Sequence, residues 1–465
     1  MESASLLLLI LAVAGALAFE FVNGFHDTAN AVATVIYTRS LRPLKAVVLS
    51  GLLNFAGVMM AGVGVAYSIV HLFPMDSLTS AGTAGSHTVS LIFAVLGAAM
   101  IWNLGTWYVG IPASSSHALI GSILGASMGY CLQNGVPLES GVPWDKARQV
   151  MAALLLSPML GFASAALLLR LVKHWVRDQD LYRSPRGDEP PPWWIRGLLI
   201  ATCGGVSFAH GSNDGQKGMG LVMLILIGLA PASFCLNLKD QPEVRQAART
   251  ACVRVVDRLP ENHLPPLALE AELTAYLQGT MVPAGLRPSL LRSARLWEQP
   301  PSELSASERM ELRRLSTLQI KCLKKLAQEH PEWASECQNA ARALALPIEY
   351  VADWVKISVA LALGLGTMVG WKRIVVTVGE KIGKSQLTYA QGATAQLVAA
   401  TTILLADVCK MPVSTTHVLS SGIAGSMAAE SHGLQRRTLA HIALAWALTL
   451  PVCITLSLGF YLALS

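Results

Sequence analysis

Apolar residues run along this chain in blocks of about twenty or more, the length at which a helix crosses a bilayer. The blocks fall near residues 5–38, 46–73, 88–110, 112–130, 149–172, 193–232, 351–370, 387–406, 411–430 and 438–463. This pattern predicts an all-α polytopic membrane protein with about 10 to 12 membrane segments. The first and sixth blocks are longer than one crossing and carry Gly and polar residues midway. Each therefore predicts two half-helices around an unwound centre, which survives at membrane depth only where it lines a cavity. The fourth and ninth blocks open on Pro and a polar cluster, which predicts partly re-entrant segments. Met1–Phe19 has no basic residues ahead of its apolar run, and Glu20 stands where a small-residue cleavage site would fall. It reads as a retained first helix.

Composition agrees and adds one feature. Of 465 residues, 53% are hydrophobic and 14% charged, against about 25% charged in soluble domains. The charge gathers in residues 233–350, which read as a hydrophilic helical insert with an amphipathic helix over Glu303–Gln328. The chain thus divides into a first transmembrane repeat (1–175), a loop and the start of a second repeat (176–232), the insert, and the remainder of the second repeat (351–465). Arg39, Arg42, Lys45, Lys173, Arg177, Arg183, Lys372, Arg373, Arg436 and Arg437 flank the crossings. The positive-inside rule puts them in the cytoplasm and the insert outside, in the periplasm. The net charge of +6 is modest; the lipid bilayer is the implied partner, and nucleic acid is not. Cys235, Cys252, Cys322 and Cys337 of the insert could pair only in an oxidising compartment.

The two halves share motifs. Pro112-Ala113-Ser114-Ser115-Ser116-His117 aligns with Pro412-Val413-Ser414-Thr415-Thr416-His417 at a shift of 300 residues. Gly24-Phe25-His26-Asp27-Thr28-Ala29-Asn30 aligns with Gly211-Ser212-Asn213-Asp214-Gly215-Gln216-Lys217 at a shift of 187. Each half holds an Asp inside an apolar block, then a Ser/Thr-His segment opening a helix. The loop charges make the halves inverted, which predicts an inverted-repeat secondary transporter.

Chemistry follows from residue types. Ser114, Ser115 and Ser116, with Ser414, Thr415 and Thr416, sit where free helix N–H groups and hydroxyls could form an uncharged cage for a small oxyanion. The plainer reading is hydroxyls bonding across a tight helix interface. Asp27, Asn30, Asn213 and Asp214 offer oxygens suited to a hard cation or a proton. Lys217 lies three residues after Asp214, so an ion pair within one helix competes with that reading. His26, His117, His210 and His417 flank the motifs and could relay protons, although a lone His more often orients a neighbour.

These motifs, taken together over both membrane halves, resemble the PiT family of inorganic phosphate transporters. The resemblance implies phosphate symport with cations, an inverted-repeat fold and a homodimer. It implies cation binding at Asp27, Asn30 and Asp214, and phosphate binding at Ser115, Ser116, Thr415 and Thr416. Sodium-coupled members read Gly-x-Asn-Asp-x-x-Asn-Ala at both Asp motifs. Here His26 replaces an Asn in the first, and Lys217 replaces the last Asn in the second. A fixed ammonium beside Asp214 could take the place of a sodium ion. That favours protons as the coupling ion, with phosphate free or complexed with Mg2+ or another divalent metal, and no further cofactor. Sodium coupling remains the alternative. A Ser116-His117-Asp27 hydrolase and a passive anion channel are two readings from other classes. The chain has no Gly-x-x-x-x-Gly-Lys-Ser/Thr loop for ATP.

Overall fold

The computed structural model describes residues 3–73, 84–142, 144–185, 187, 189–239, 241–257, 259, 268–279, 284–411, 413–430 and 433–465. The side chains of residues 28–30 and Pro412 of the second Ser/Thr motif lie outside that description. Among the described residues there is no strand, only an isolated bridge between Gly383 and Leu434.

The chain forms two compact units, one of Met1–Leu78, Gly82–Ile225 and Val351–Ser465, the other mainly of Leu226–Tyr350. The first unit begins with α1 (Ser3–Tyr37), α2 (Pro43–Met60), α3 (Gly64–Val70), α4 (Ala84–Val109), α5 (Ser115–Asn134) and α6 (Trp144–Trp175). Next comes α7 (Trp193–Leu229), which runs into the second unit. That unit holds α8 (Pro242–Val256), α9 (Leu269–Leu277), α10 (Leu286–Leu296), α11 (Ala306–Glu329) and α12 (Ala334–Ala345). The first unit then resumes with α13 (Asp353–Thr367), α14 (Lys372–Glu380), α15 (Tyr389–Val408), α16 (Thr415–Ala429) and α17 (Arg436–Leu464).

Every apolar block of the sequence coincides with a helix. Among the described residues, five helices are long and apolar enough to cross a bilayer unaided, and α13 with α14 adds a pair bent by 64°. The protein is a multi-pass membrane protein. The predicted unwound centres of the first and sixth blocks are not there: α1 and α7 run unbroken for 35 and 37 residues. Neither contains Pro, and the polar groups midway along them bond to side chains of other helices, so the backbone need not open. The breaks fall instead between α2 and α3 and between α13 and α14. The middle of α7 is too polar to face lipid, and residues 209–225 are all buried inside the protein. At 15 residues, α16 rises only about 22 Å, short of a bilayer core of about 30 Å.

Contacts in the first unit recur in pairs. A Cβ at Gly24 would lie 2.4 Å from the Leu363 carbonyl oxygen, and one at Gly211 would lie 2.2 Å from that of Asn54. The reverse contacts, Gly366 on the Phe21 carbonyl and Gly57 on that of Phe208, follow the same shifts of 187 and 309 residues. So α1 packs on α13 as α7 packs on α2. Likewise Gly125 of α5 meets the Ile454 carbonyl of α17, and Gly425 of α16 meets the Phe162 carbonyl of α6, each at 2.2 Å from an added Cβ. Each half lends the partner helix of the other. Before the cluster helices, Gly110 and Lys410, 300 residues apart, both adopt left-handed φ of 75° and 56°.

The second unit has its own core, with Leu273, Leu290, Leu312, Leu323 and Trp297 buried. Its α11 starts at Ala306, behind a capping box of Ser305 and Glu308, three residues after the predicted start. Arg292 grips Glu311 at 2.9 and 3.0 Å. All four of its cysteines are buried with free thiols. Burial pushes Cys252 and Cys322 up to about 12, so these thiols pack as small apolar groups.

The paired glycine contacts yield a test. Gly125→Leu and Gly425→Leu should each lower thermal stability in detergent by about 1–3 kcal/mol or more, because the obstacle is backbone. Gly105→Leu, with nothing within 4 Å of an added Cβ, should leave melting unchanged.

Candidate functional site

The site forms where α1 and α7 meet the N-terminal ends of α5 and α16. At each end a serine caps the helix: Ser114 accepts from His117 N and Ser414 from His417 N, both at 3.2 Å. These two hydroxyls therefore serve the backbone, as N-caps do. The next residues point their hydroxyls at carboxylates. Ser115 Oγ donates to Asp27 Oδ2 at 2.9 Å, and Thr416 Oγ1 donates to Asp27 Oδ1 at 2.5 Å. Thus Asp27 on α1 joins both cluster helices, one from each half. The Thr415 hydroxyl is buried and unpartnered.

Asp214 on α7 is fully buried and bonded to Lys217 Nζ at 2.6 Å. That ammonium also donates to Ser116 Oγ at 2.5 Å and to the Val413 carbonyl at 2.9 Å. Its three N–H groups are thereby spent. The i to i+3 spacing on a helix brings this pair together, and the ammonium links the second Asp motif to the first Ser cluster.

Between the carboxylates stands His210. Its Nε2 lies 3.3 Å from Asp214 Oδ2 and 3.9 Å from Asp27 Oδ2. Its Nδ1 lies 2.9 Å from Asn54 Oδ1, whose amide donates to Thr367. Both ring nitrogens face oxygens, so the ring can carry a second proton there. His26 touches Asp27 Oδ1 through Nδ1 at 3.3 Å and Thr106 Oγ1 through Nε2 at 3.1 Å. Donor atoms of Asp27, His210 and Asp214 lie within 4.8 Å of one another, a spacing open to a small cation or a shared proton.

Not every expected residue joins. Asn213 is buried but reaches the Met411 carbonyl at 3.5 Å, away from the carboxylates. The side chain of Asn30 lies outside the described residues. Sequence reasoning missed Thr106 and Asn54, which carry no motif. It also missed Asp407 of α15, which accepts from Gln216 Nε2 at 2.5 Å and from Ser212. An ionisable residue at the end of an apolar block was the available signal.

The arrangement does not make a hydrolase. Asp27 is bonded to Ser115, Thr416 and His26, and Ser116 to Lys217. The His117 ring lies tilted against His417, with centroids 4.6 Å apart, and His417 lies tilted against Trp446 at 4.0 Å. No Ser116-His117-Asp27 relay forms. What exists is a buried polar junction of two repeated motifs, and the phosphate transporter family model matches residues 23–457, spanning both. The chain belongs to the phosphate transporter family. It is similar to the low-affinity inorganic phosphate transporter PitB of Escherichia coli (strain K12), 43% identical over 98% of this chain and 96% of that one. PitA of the same strain is 41% identical over the same shares. A probable low-affinity inorganic phosphate transporter of Bacillus subtilis (strain 168) is 29% identical over 99% and 98%. A solved structure of "The sodium-dependent phosphate transporter" shares the fold, with a TM-score of 0.54 at 19% identity and 98% of both chains covered. This family member is a transporter and not an enzyme.

Removing one partner of a buried ion pair costs about 3–5 kcal/mol, because the other is left charged and alone. Lys217→Met should lower thermal stability by that order, and Lys217→Met with Asp214→Asn should recover most of it. Melting curves in detergent check this; a double variant as unstable as the single would show that the pair is not the stabilising unit.

Proposed function

We propose that this chain carries inorganic phosphate across the inner membrane by secondary active transport coupled to protons, taking phosphate free or complexed with a divalent metal such as Mg2+. The observation that carries the reading is the Lys217 ammonium, bonded at once to Asp214 and Ser116. A fixed cation holds the second carboxylate, where a sodium-coupled carrier would present an oxygen ligand. Kinship with curated phosphate transporters over 98% of the chain supports phosphate as the cargo.

In this reading Ser115, Ser116, Thr415 and Thr416 bind the phosphate oxygens, helped by Lys217 and the N-terminal ends of α5 and α16. Ser114 and Ser414 hold those ends in shape. Asp27, with His26 and Asp214 beside it, takes the coupling charge, and the family pattern assigns Asn30 and Asn213 to the coupling cation with them. Coupling then follows from competition. Ser115 and Thr416 donate hydrogen bonds to Asp27, and a hydroxyl that turns to phosphate leaves Asp27 without that donor. A buried carboxylate stripped of donors is costly unless a proton or cation arrives. Phosphate and cation therefore enter together. The same reading makes the two halves an inverted repeat, the protein a homodimer, and the insert periplasmic, as the basic loops imply.

The test is phosphate uptake by the purified protein in sodium-free proteoliposomes. An imposed proton gradient should accumulate phosphate above its outside concentration, and a sodium gradient alone should not. Accumulation driven by sodium only would contradict the reading. Flux that never exceeds equilibration would identify a passive channel.

A further inference from the structure

Glu20 lies on α1 seven residues before Asp27, two helical turns away and on the same side of the helix. It is fully buried, at 0% exposure. One carboxyl oxygen, Oε1, has no hydrogen-bond partner, and the other receives only a long bond of 3.5 Å from Asn23 Nδ2. The side-chain oxygen Oδ1 of Asn23 is unpartnered as well. The carboxyl rests on the α7 backbone at Gly218, where an added Cβ would come within 2.3 Å of Glu20 Cδ. Gly218 directly follows Lys217.

The charged and titratable groups that face Glu20 are Asp214, Lys217 and His210, all on α7. Among the other helices packed on α1, α13 is charged only at its N-terminal end, Asp353 and Lys356, α4 carries His87 and Tyr108 towards its two ends, α2 carries Lys45, and α14 carries Lys372, Arg373 and Glu380. Of the two basic groups, Lys217 has spent its three donors on Ser116, Asp214 and the Val413 carbonyl. His210 directs Nε2 at Asp214 and Asp27. An ionised Glu20 would thus be buried beside another carboxylate with only the long Asn23 bond to hold it, whereas a neutral carboxylic acid fits that company.

We propose that Glu20 is the carboxyl that binds and releases the transported proton, exchanging it against the ammonium of Lys217. With Lys217 on Asp214, as seen here, Glu20 holds the proton. When Lys217 swings across Gly218 to Glu20, the Glu20 O–H bond breaks and the proton passes to water on the receiving side. Lys217 stays charged throughout and changes partner, and Asp214 keeps His210. The missing side chain at Gly218 leaves that passage clear.

The proposal rests on the proton-coupled reading, and one experiment separates the two. Glu20→Gln imitates the protonated acid and cannot release a proton. In proteoliposomes it should retain phosphate–phosphate exchange, in which the loaded carrier shuttles, and lose accumulation driven by a proton gradient. Accumulation by Glu20→Gln equal to the unaltered protein would overturn the role of Glu20 and leave proton coupling standing. Failure of the unaltered protein to accumulate phosphate under a proton gradient would overturn both. If Glu20→Gln also loses exchange, Glu20→Asp decides, since it keeps a titratable carboxyl. Retained proton-driven accumulation supports the proposal, and its loss overturns it.

Discussion

Two carboxylates, Asp27 and Asp214, face one imidazole in the interior of a membrane protein, with a single ammonium beside them. Burying such a group without a partner costs several kcal/mol, so the surrounding structure can be understood as supplying partners. Lys217 bonds one oxygen of Asp214. Hydroxyls from two different helices satisfy Asp27. His210 stands between them, held by Asn54. Because the hydroxyls that neutralise Asp27 are also the donors best placed for an oxyanion, the site cannot serve both at full strength. In the proposed function, that conflict is the physical origin of coupling.

The conflict can be staged only if four helices from distant parts of the chain converge. Glycines make that convergence possible. Gly24 and Gly211 bring α1 and α7 against backbone carbonyls of α13 and α2, so the Asp-bearing helices are clasped by partners from the opposite half. Gly125 and Gly425 do the same for the two cluster helices. Neither half could assemble its part of the site alone. The repeat is therefore structural at the level of individual contacts, while the chemistry on it is asymmetric: Asp27 is held by hydroxyls, Asp214 by an ammonium.

Much of this was legible in the sequence. The apolar blocks located the helices, and the two motif copies located Asp27, Asp214, Ser115, Ser116 and Thr416, which the structure brings together. The paired shifts of 187 and 300 residues did that work, since a repeated polar cluster in an apolar block has few structural reasons to exist. The helix geometry at the motifs was not legible. Gly and polar residues midway suggested unwinding, but tertiary bonds from Ser115 and Thr416 to Asp27 and from Asn54 to His210 engage those groups with the helices closed. Single residues without a copy were also hidden. Thr106 and Asn54 belong to no motif, and their roles depend on which helices meet. Glu20 was visible only as a residue that argued against a cleavage site, although its spacing from Asp27 already placed both acids on one face.

The account turns on Lys217 standing in for a cation at Asp214. The most direct measurement is the sodium dependence of phosphate uptake by Lys217→Asn in proteoliposomes at fixed pH. Removing the ammonium opens Asp214 to a free ion, so uptake should become stimulated by sodium, with saturation as sodium is raised. Uptake that stays active and does not respond to sodium would contradict the role given to Lys217.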